Sequence, residues 1–198
     1  MGGTVSRYRS EQSVYTQGAA AGSVFYIQEG KVRLTNKSKN HRSAVTAVLG
    51  EGDFFGAQCL IGFPLRLSSA VAMTGCSIRS IPKQRMIDLL QAKNKIPIFL
   101  VSYLLSTLKK GQEHVVALLT FTAEQRLARA LLALAHLDRK GPPIMEVPNP
   151  NHQVLADMVG TTRPRINHFM NKFRKLGYIS YDGGLEVHKS LRKVLRNK

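Results

Sequence analysis

Three side chains near the C-terminus have the chemistry needed to read nucleic-acid bases: Arg163, Asn167 and His168. An arginine can donate two hydrogen bonds to the edge of guanine, an asparagine can pair with adenine, and a histidine can donate to guanine. Residues 162–176 have the pattern of an amphipathic helix, and these side chains lie on its polar side near its N-terminal end. Helices that read DNA insert this end into the major groove. We therefore interpret the three residues as base contacts.

Five neighbouring side chains can donate hydrogen bonds to phosphate oxygens without reading the base sequence. They are Thr162, Arg165, Asn171, Lys172 and Arg174. Charge supports this interpretation, because residues 161–198 contain ten basic and two acidic residues. The whole chain has 29 basic and 12 acidic residues, a formal net charge of +17. Such a surplus attracts a polyanion and predicts binding that weakens steeply with salt.

Residues 152–171 have the pattern of two short helices joined by a tight turn. Asn151 can cap the first helix, and Gly160 can adopt the left-handed conformation that ends it. Thr162 can cap the second helix, whose first turn accommodates Pro164 because the missing N–H is not needed there. Apolar residues at helical spacing predict the buried faces: Leu155, Ala156, Val159, Ile166, Phe169, Met170, Phe173 and Leu176. This arrangement is typical of a helix-turn-helix.

A β-hairpin is predicted directly after the second helix. Residues 178–181 and 185–188 favour strands, and Asp182, Gly183 and Gly184 between them favour a turn. Such a hairpin is the wing of a winged helix-turn-helix domain. The alternative is an ordinary helical hairpin with a solvated basic face. The wing and the concentration of positive charge favour a DNA-reading domain over this alternative.

The N-terminal half favours short β-strands separated by glycines. The predicted strands cover residues 24–27, 31–34, 44–49, 69–72 and 77–81, and a short helix is predicted over residues 83–91. Regular short strands with glycine corners predict a β-roll of the jelly-roll type. Together with the helical second half, this pattern predicts an α+β fold.

Residues 96–120 are predicted to form one long helix. Its apolar residues follow spacings of three and four, the heptad pattern of a helix that pairs with another helix. The residues predicted at the centre of this dimer interface are Val101, Leu105, Leu108, Gln112 and Val115. The alternative is that the helix is buried within its own domain. Thr122 and Gln125 form a capping-box pattern, which predicts a further helix through residue 137.

The order of these parts resembles that of the Crp/Fnr family of bacterial transcription regulators. The parts are a β-roll over residues 1–95, a dimerisation helix and hinge over 96–121, and a winged helix-turn-helix domain over 122–198. The run SVFYIQEGKVRLT resembles the first strands of that family, GEGDFFGAQCLIGFPLRLSSAVA its ligand cradle, and GTTRPRINHFMNKFRKLGYI its reading helix. The resemblance implies a cyclic-nucleotide-binding-type roll and a homodimer on palindromic double-stranded DNA, with RNA polymerase as a partner. Arg163 and His168 match base-contacting positions, whereas Pro164 stands where many members carry a glutamate.

The effector site departs from the pattern of family members that bind cyclic AMP. The resemblance assigns Gly56, Arg66, Ser68 and Ser69 to the ligand cradle. In the cyclic AMP-binding members a glutamate follows the glycine and holds the ribose, but Ala57 follows Gly56 here. The arginine is also separated from the serines, which the family pattern places next to it. We therefore expect cyclic AMP to bind poorly in the usual pose, and the effector is unknown.

Two alternatives remain open: a regulatory module that acts through protein partners, and a conventional cyclic-nucleotide-activated regulator. A metal-dependent oxygenase is disfavoured, because the roll has one histidine, His41, and such enzymes need two histidines and a carboxylate. We expect no enzymatic activity, no metal and no iron–sulfur cluster, since no cysteine precedes Cys59. Cys59 and Cys76 are predicted to be small buried residues, with a redox role left open. The sequence has no apolar run long enough to span a bilayer, which predicts a soluble cytoplasmic protein.

Overall fold

The computed structural model describes residues 2–37, 43–92, 96–135, 144–147, 151–182 and 184–196. His41, Gly183 and residue 137, each named in the sequence predictions, lie outside these ranges. The chain forms two compact units, residues 1–108 and 109–198, and the boundary falls inside the long helix. No helix in the described ranges is long and apolar enough to cross a membrane.

The first unit is built on two antiparallel sheets of four strands each, in the orders β1-β8-β3-β6 and β2-β7-β4-β5. The strands are β1 (Thr4–Tyr8), β2 (Ser13–Tyr15), β3 (Ser23–Glu29), β4 (Val32–Lys37), β5 (Ser43–Leu49), β6 (Phe54–Phe55), β7 (Ser69–Ala72) and β8 (Cys76–Pro82). The predicted strands correspond to β3, β4, β5, β7 and β8, and the β-roll is confirmed. The sequence does not predict β1, β2 and β6, of which β2 and β6 are too short to show an alternating pattern.

Two apolar clusters form the core of the roll, and β3 contributes to both because successive strand side chains point to opposite faces. The first cluster comprises Phe25, Ile27, Val32, Phe55, Ala70, Ala72, Cys76 and Ile78. The second comprises Val24, Phe54, Cys59, Ile81 and Met86, where the helix α1 (Lys83–Gln91) packs on β3 and β8. Both cysteines are buried, as predicted, and both are free thiols.

The long helix α2 (Ile96–Thr120) begins and ends at the predicted residues. Leu100 is buried, and the Tyr103 hydroxyl accepts from the Phe54 N–H at 2.9 Å and donates to the Phe54 carbonyl at 3.0 Å. The apolar residues Phe99 and Leu104 of α2 also favour packing on the roll. The Phe99 ring does lie edge-on to that of Phe54, with 6.4 Å between the centroids, although Phe99 is 52% exposed. Leu104 is 48% exposed. The first half of α2 is therefore anchored through Phe99, Leu100 and Tyr103.

The second unit contains three further helices and a small sheet. They are α3 (Ala123–Leu134), β9 (Ile144–Val147), α4 (His152–Val159), α5 (Arg163–Lys175), β10 (Ile179–Tyr181) and β11 (Leu185–His188). The predicted capping box is present, since Thr122 Oγ1 accepts from the Gln125 N–H at 3.2 Å and Gln125 Oε1 accepts from the Thr122 N–H at 3.0 Å. The helix that it begins ends at Leu134, before the predicted end at residue 137.

The predicted wing is confirmed as the antiparallel pair β10 and β11. The sequence does not predict β9, which pairs with the other side of β11 and gives a three-stranded sheet in the order β10-β11-β9. A 3-10 helix at Lys189–Leu195 then contacts α3 and buries Leu191 and Val194. The segment that follows the wing is thus packed against α3.

Candidate nucleic-acid interface and effector cradle

The turn between α4 and α5 uses the predicted capping residues, with one exception. Asn151 Oδ1 accepts from the Gln153 N–H at 2.8 Å, and Gly160 ends α4 in the left-handed conformation with φ of 68°. Thr162 occupies the N-cap position of α5, but its side chain makes no capping hydrogen bond, so that prediction is wrong. Pro164 accounts for part of this, because it removes one of the two N–H groups to which an N-cap hydroxyl normally bonds.

The apolar side of α5 is buried as the sequence predicts, except at its C-terminal end. Its buried residues are Ile166, Phe169, Met170 and Phe173. Leu176 was predicted on the same face but is 52% exposed. It is the C-cap residue after Lys175, the last residue of α5, and the chain then turns through Gly177 with φ of 66°, so Leu176 no longer follows the helical face. The prediction that Leu176 is buried is therefore wrong, and the buried face of α5 ends at Phe173.

All eight predicted DNA contacts lie on α5 or at its N-cap, and all eight are exposed. The predicted base contacts are Arg163, Asn167 and His168, and the predicted phosphate contacts are Thr162, Arg165, Asn171, Lys172 and Arg174. The Arg165 guanidinium lies over the Phe169 ring, 5.8 Å from its centroid. The helix therefore presents a polar, basic face above an apolar face that is buried within the second unit.

Two of these exposed side chains already have partners within the second unit. Asn167 Oδ1 lies 2.5 Å from Nδ1 of His152 on α4. The Lys172 ammonium lies 2.8 and 2.9 Å from the two carboxylate oxygens of Glu124, in the first turn of α3. A phosphate that binds Lys172 must therefore share this ammonium with a carboxylate.

Arg126 is a structural residue of this unit that the sequence reading missed. Its Nε donates to the Val159 carbonyl at the end of α4 at 2.8 Å, and its Nη1 donates to the Phe121 carbonyl, just after α2, at 2.8 Å. Carbonyls at helix ends lack partners within their helix, so one guanidinium satisfies two such groups. Its only sequence signal is weak: an arginine directly after the capping-box glutamine, Gln125.

The residues predicted for the dimer interface are all exposed on α2, and the four apolar ones, with Gln112 between Leu108 and Val115, form the apolar line of this helix. Val101 is 51% exposed, Leu105 62%, Leu108 60% and Val115 54%, and Gln112 is exposed as well. Beyond them, Leu119 is 81% exposed. Isolated exposed apolar residues are common, but a continuous line along a helix is typical of a surface that another helix covers.

The residues assigned to the effector cradle are partly in contact in the roll. Arg66 is 6% exposed, and its Nη1 donates to the Gly56 carbonyl at 2.9 Å. Its guanidinium carbon lies 4.5 Å from the centroid of the Tyr15 ring and 5.0 Å from that of Phe25. Its Nε has no hydrogen-bond partner in the described ranges of the chain. Gly56 has φ of 72°, and a Cβ there would lie 2.5 Å from Arg66 Nη1, so this position accommodates only glycine without a shift.

Tyr15, which the sequence does not single out, connects Arg66 to Ser68. Burial raises the pKa of the Tyr15 hydroxyl, while a hydrogen bond with Ser68 and the positive charge of Arg66 act in the opposite direction. Ser68 is 8% exposed. Ser69 instead accepts a hydrogen bond from the Gln17 N–H at 2.9 Å. Arg66, Tyr15 and Ser68 therefore form one buried polar group, whereas Ser69 stabilises the neighbouring loop.

Comparison with known proteins identifies both units. Residues 5–93 match the family model of the cyclic nucleotide-binding domain, and residues 125–192 match that of the Crp-like helix-turn-helix domain. The cAMP-activated global transcriptional regulator CRP of Haemophilus influenzae is 25% identical over 89% of this chain and 80% of its own length. The protein of the same name from Salmonella typhimurium is 26% identical over 90% of this chain and 86% of its own length.

Solved structures share the fold over nearly the whole chain. FixK2 from Bradyrhizobium japonicum superposes with a TM-score of 0.84 at 19% identity, covering 99% of this chain and 97% of its own. A CRP-family transcriptional regulator from Thermus thermophilus superposes with a TM-score of 0.79 at 21% identity, covering 97% of each chain. Since both domains match in the family's order and the fold follows that of its solved members, the chain belongs to the Crp/Fnr family of DNA-binding transcription regulators.

Proposed function

We propose that this regulator acts as a homodimer that binds a palindromic operator, with one α5 in the major groove of each half-site. The observation that carries the proposal is the amphipathic α5: its apolar face is buried, and seven polar and basic side chains on its other face, together with Thr162 at its N-cap, are exposed. Arg163, Asn167 and His168 are the proposed base contacts. The proposed phosphate contacts are Thr162, Arg165, Asn171, Lys172 and Arg174.

The dimer is supported by the exposed apolar line on α2. Leu105 and Leu108 are 62% and 60% exposed at its centre, and covering them with the same helix of a second copy removes apolar surface from water. A two-fold dimer places two reading helices about one turn of DNA apart, which is why a palindrome is the matching target. RNA polymerase is the protein partner that we infer from the family.

The buried charge of Arg66 supports an anionic effector in the roll. A guanidinium that is 6% exposed and has an Nε without a partner in the described residues is costly, unless an anion compensates its charge. Cyclic AMP in the usual pose is disfavoured, because Ala57 provides no carboxylate for the ribose. A lost hydrogen bond to a charged group costs about 1.5–3 kcal/mol. We therefore propose that the dimer binds DNA without added cyclic AMP.

The second candidate is a conventional cyclic-nucleotide-activated regulator. The relatives from Haemophilus influenzae and Salmonella typhimurium are named cAMP-activated, and Arg66 could serve a cyclic phosphate as well as another anion. The two candidates differ in whether DNA binding requires the nucleotide. A ligand shifts a conformational equilibrium only as far as its affinities for the two states differ.

The test is selection of bound duplexes from a random pool by the purified full chain, with and without cyclic AMP, combined with calorimetry of cyclic AMP binding. We expect an inverted repeat in both selections, with half-site centres about ten base pairs apart. Enrichment of no sequence would contradict sequence-specific DNA binding, and enrichment of a single half-site would contradict the dimer. Micromolar cyclic AMP affinity, together with selection only in its presence, would establish the second candidate.

A further inference from the structure

His152 and Asn167 join the two helices of the helix-turn-helix at its exposed surface. His152 is the first residue of α4, and Asn167 lies on the exposed face of α5 among the proposed base contacts. Asn167 Oδ1 is 2.5 Å from His152 Nδ1, which is hydrogen-bond distance. His152 is only partly exposed, whereas Asn167 is exposed. The pair therefore restrains a side chain that faces the proposed DNA site.

The hydrogen bond determines which end of the Asn167 amide is left to contact a base. An amide oxygen can only accept, so His152 Nδ1 carries the hydrogen, as it does in one neutral tautomer and in the imidazolium. Because the amide group is planar, an oxygen held towards His152 leaves the NH2 group on the other side. An asparagine that reads adenine needs both ends: its oxygen accepts from N6 and its NH2 donates to N7. The pair with His152 competes for the oxygen.

We propose that His152 is a positioning residue for sequence specificity, and that it makes Asn167 a hydrogen-bond donor to the bases. This inference rests on the proposed function, because it assumes that α5 enters the major groove. A donor prefers a base edge whose acceptors are not flanked by another donor, namely guanine with O6 and N7 or thymine with O4. Adenine, the partner that the residue type alone suggests, also offers N7, but its N6 amino group then faces the amide NH2 group without an acceptor, so adenine is disfavoured. One position of each half-site is therefore guanine or thymine because of a residue outside the reading helix.

The experiment compares the operator preferences of the purified full chain with those of four variants. Asn167→Ala identifies the half-site position that Asn167 reads. His152→Phe retains a ring but has no donor, whereas His152→Asn retains an N–H close to the position of Nδ1. Gln153→Ala is the matched control, because Gln153 is an exposed residue of the same helix whose side chain bonds to Asp157 instead. Competition titrations use duplexes with each of the four bases at the identified position, and thermal unfolding confirms that each variant is folded.

We expect the natural protein to bind adenine at that position about fivefold more weakly than guanine or thymine. His152→Phe should reduce this difference to about twofold or less, since the amide can then turn its oxygen to the base. His152→Asn and Gln153→Ala should keep the natural preference. If His152→Phe does not fold, the inference is still tested by the base preference of the natural protein and by that of His152→Asn.

Three results would overturn the inference. The natural protein could select adenine at the position that Asn167 reads, or folded His152→Phe could keep the natural base preference. The third result is that His152→Asn loses this preference to the same extent as Asn167→Ala. Each of these leaves operator binding itself intact. Failure of the proposed function has a different signature, because the natural protein would then select no sequence at any position.

Discussion

The exposed face of α5 and the polar group inside the roll are two candidate binding sites that differ in burial. On α5 and at its N-cap, all eight proposed contact residues are exposed, and the opposite apolar face of the helix is buried. In the roll, Arg66 and Ser68 are 6% and 8% exposed and contact other groups of the protein. A DNA duplex is too large to be enclosed, so its contacts must be on the surface, whereas a small ligand can be enclosed. Most side chains of the proposed DNA face are free of side-chain partners, with Asn167 and Lys172 as exceptions, but a ligand in the roll must share Arg66 with Gly56 and two aromatic rings.

The two sites also differ in what they cost the folded state. Unpaired cations on an exposed helix remain hydrated, so leaving them without a partner costs little free energy. A guanidinium buried without a full set of partners is destabilising until a ligand compensates it. Substituting an exposed cation of α5 should therefore weaken DNA binding with little change in the free energy of unfolding. Substituting Arg66 instead removes a buried charge that the ligand-free protein must accommodate.

The largest effect on DNA affinity is expected from substitutions that leave both candidate sites intact but prevent a second copy of the chain from binding to α2. Replacing Leu105 and Leu108 by aspartate places two charges on the apolar line of α2 and should give monomers. Operator affinity should fall about 100-fold or more, since the second half-site no longer binds as part of the same complex. Sedimentation and DNA titration measure the two effects. Ser106→Asp, an exposed position of α2 outside the heptad pattern, is the control and should remain dimeric; a well-folded natural monomer at micromolar concentration would contradict the dimer.

Substituting Arg126 and Arg66 compares the stability contributed by a guanidinium that bonds to two carbonyls with that of a buried guanidinium that lacks a full set of partners. Arg126→Met removes two 2.8 Å hydrogen bonds to carbonyls and should lower the free energy of unfolding by about 2 kcal/mol. Arg66→Met removes one such bond but also removes a buried charge, so the free energy of unfolding of the ligand-free protein should change by less than about 1 kcal/mol. Denaturant unfolding without ligand measures both values. Equal large losses would show that Arg66 stabilises the fold in its own right and is not held in reserve for an anion.

Local sequence patterns were sufficient for the α-helices, five strands of the roll and the two strands of the wing, but not for the remaining strands or for contacts between distant residues. The bounds of α1 and α2 follow from uninterrupted helical patterns, and Gly160 and Gly177 explain where α4 and α5 end. The short β6 has only two residues, and it exists because it pairs with β3. A strand of that length has no periodicity of its own, so only tertiary structure reveals it.

The same distinction applies to the candidate sites. The exposed face of α5 could be predicted because one helix carries all of it. Asn167 and Lys172 were predicted as DNA contacts from their residue types, but their partners His152 and Glu124 come from other helices. Tyr15 in the roll was missed for the same reason, because only the fold brings β2 beneath the guanidinium of Arg66.

A smaller effect is expected at the reading face, where Arg163→Ala should remove specificity without destabilising the protein. An arginine that donates two bonds to guanine contributes about 1–3 kcal/mol of discrimination between bases. Affinity for the selected operator should therefore fall while affinity for a scrambled duplex changes little. Competition titrations with both duplexes check this expectation. Equal losses on the two would show that Arg163 binds phosphate and does not read a base.

The smallest effect should come from the ion pair between Lys172 and Glu124, where the DNA site is least ready to bind. Lys172→Ala should weaken binding to all duplexes alike and reduce the slope of log affinity against log salt, because one phosphate contact is lost. Glu124→Gln should strengthen binding slightly at low salt, since the ammonium no longer shares its charge with a carboxylate. Both side chains are partly exposed, at 47% and 23%, so the pair itself is worth at most about 1 kcal/mol. Titrations across a salt series measure both effects, and an unchanged slope in Lys172→Ala would assign Lys172 to holding α5 against α3 instead of to DNA.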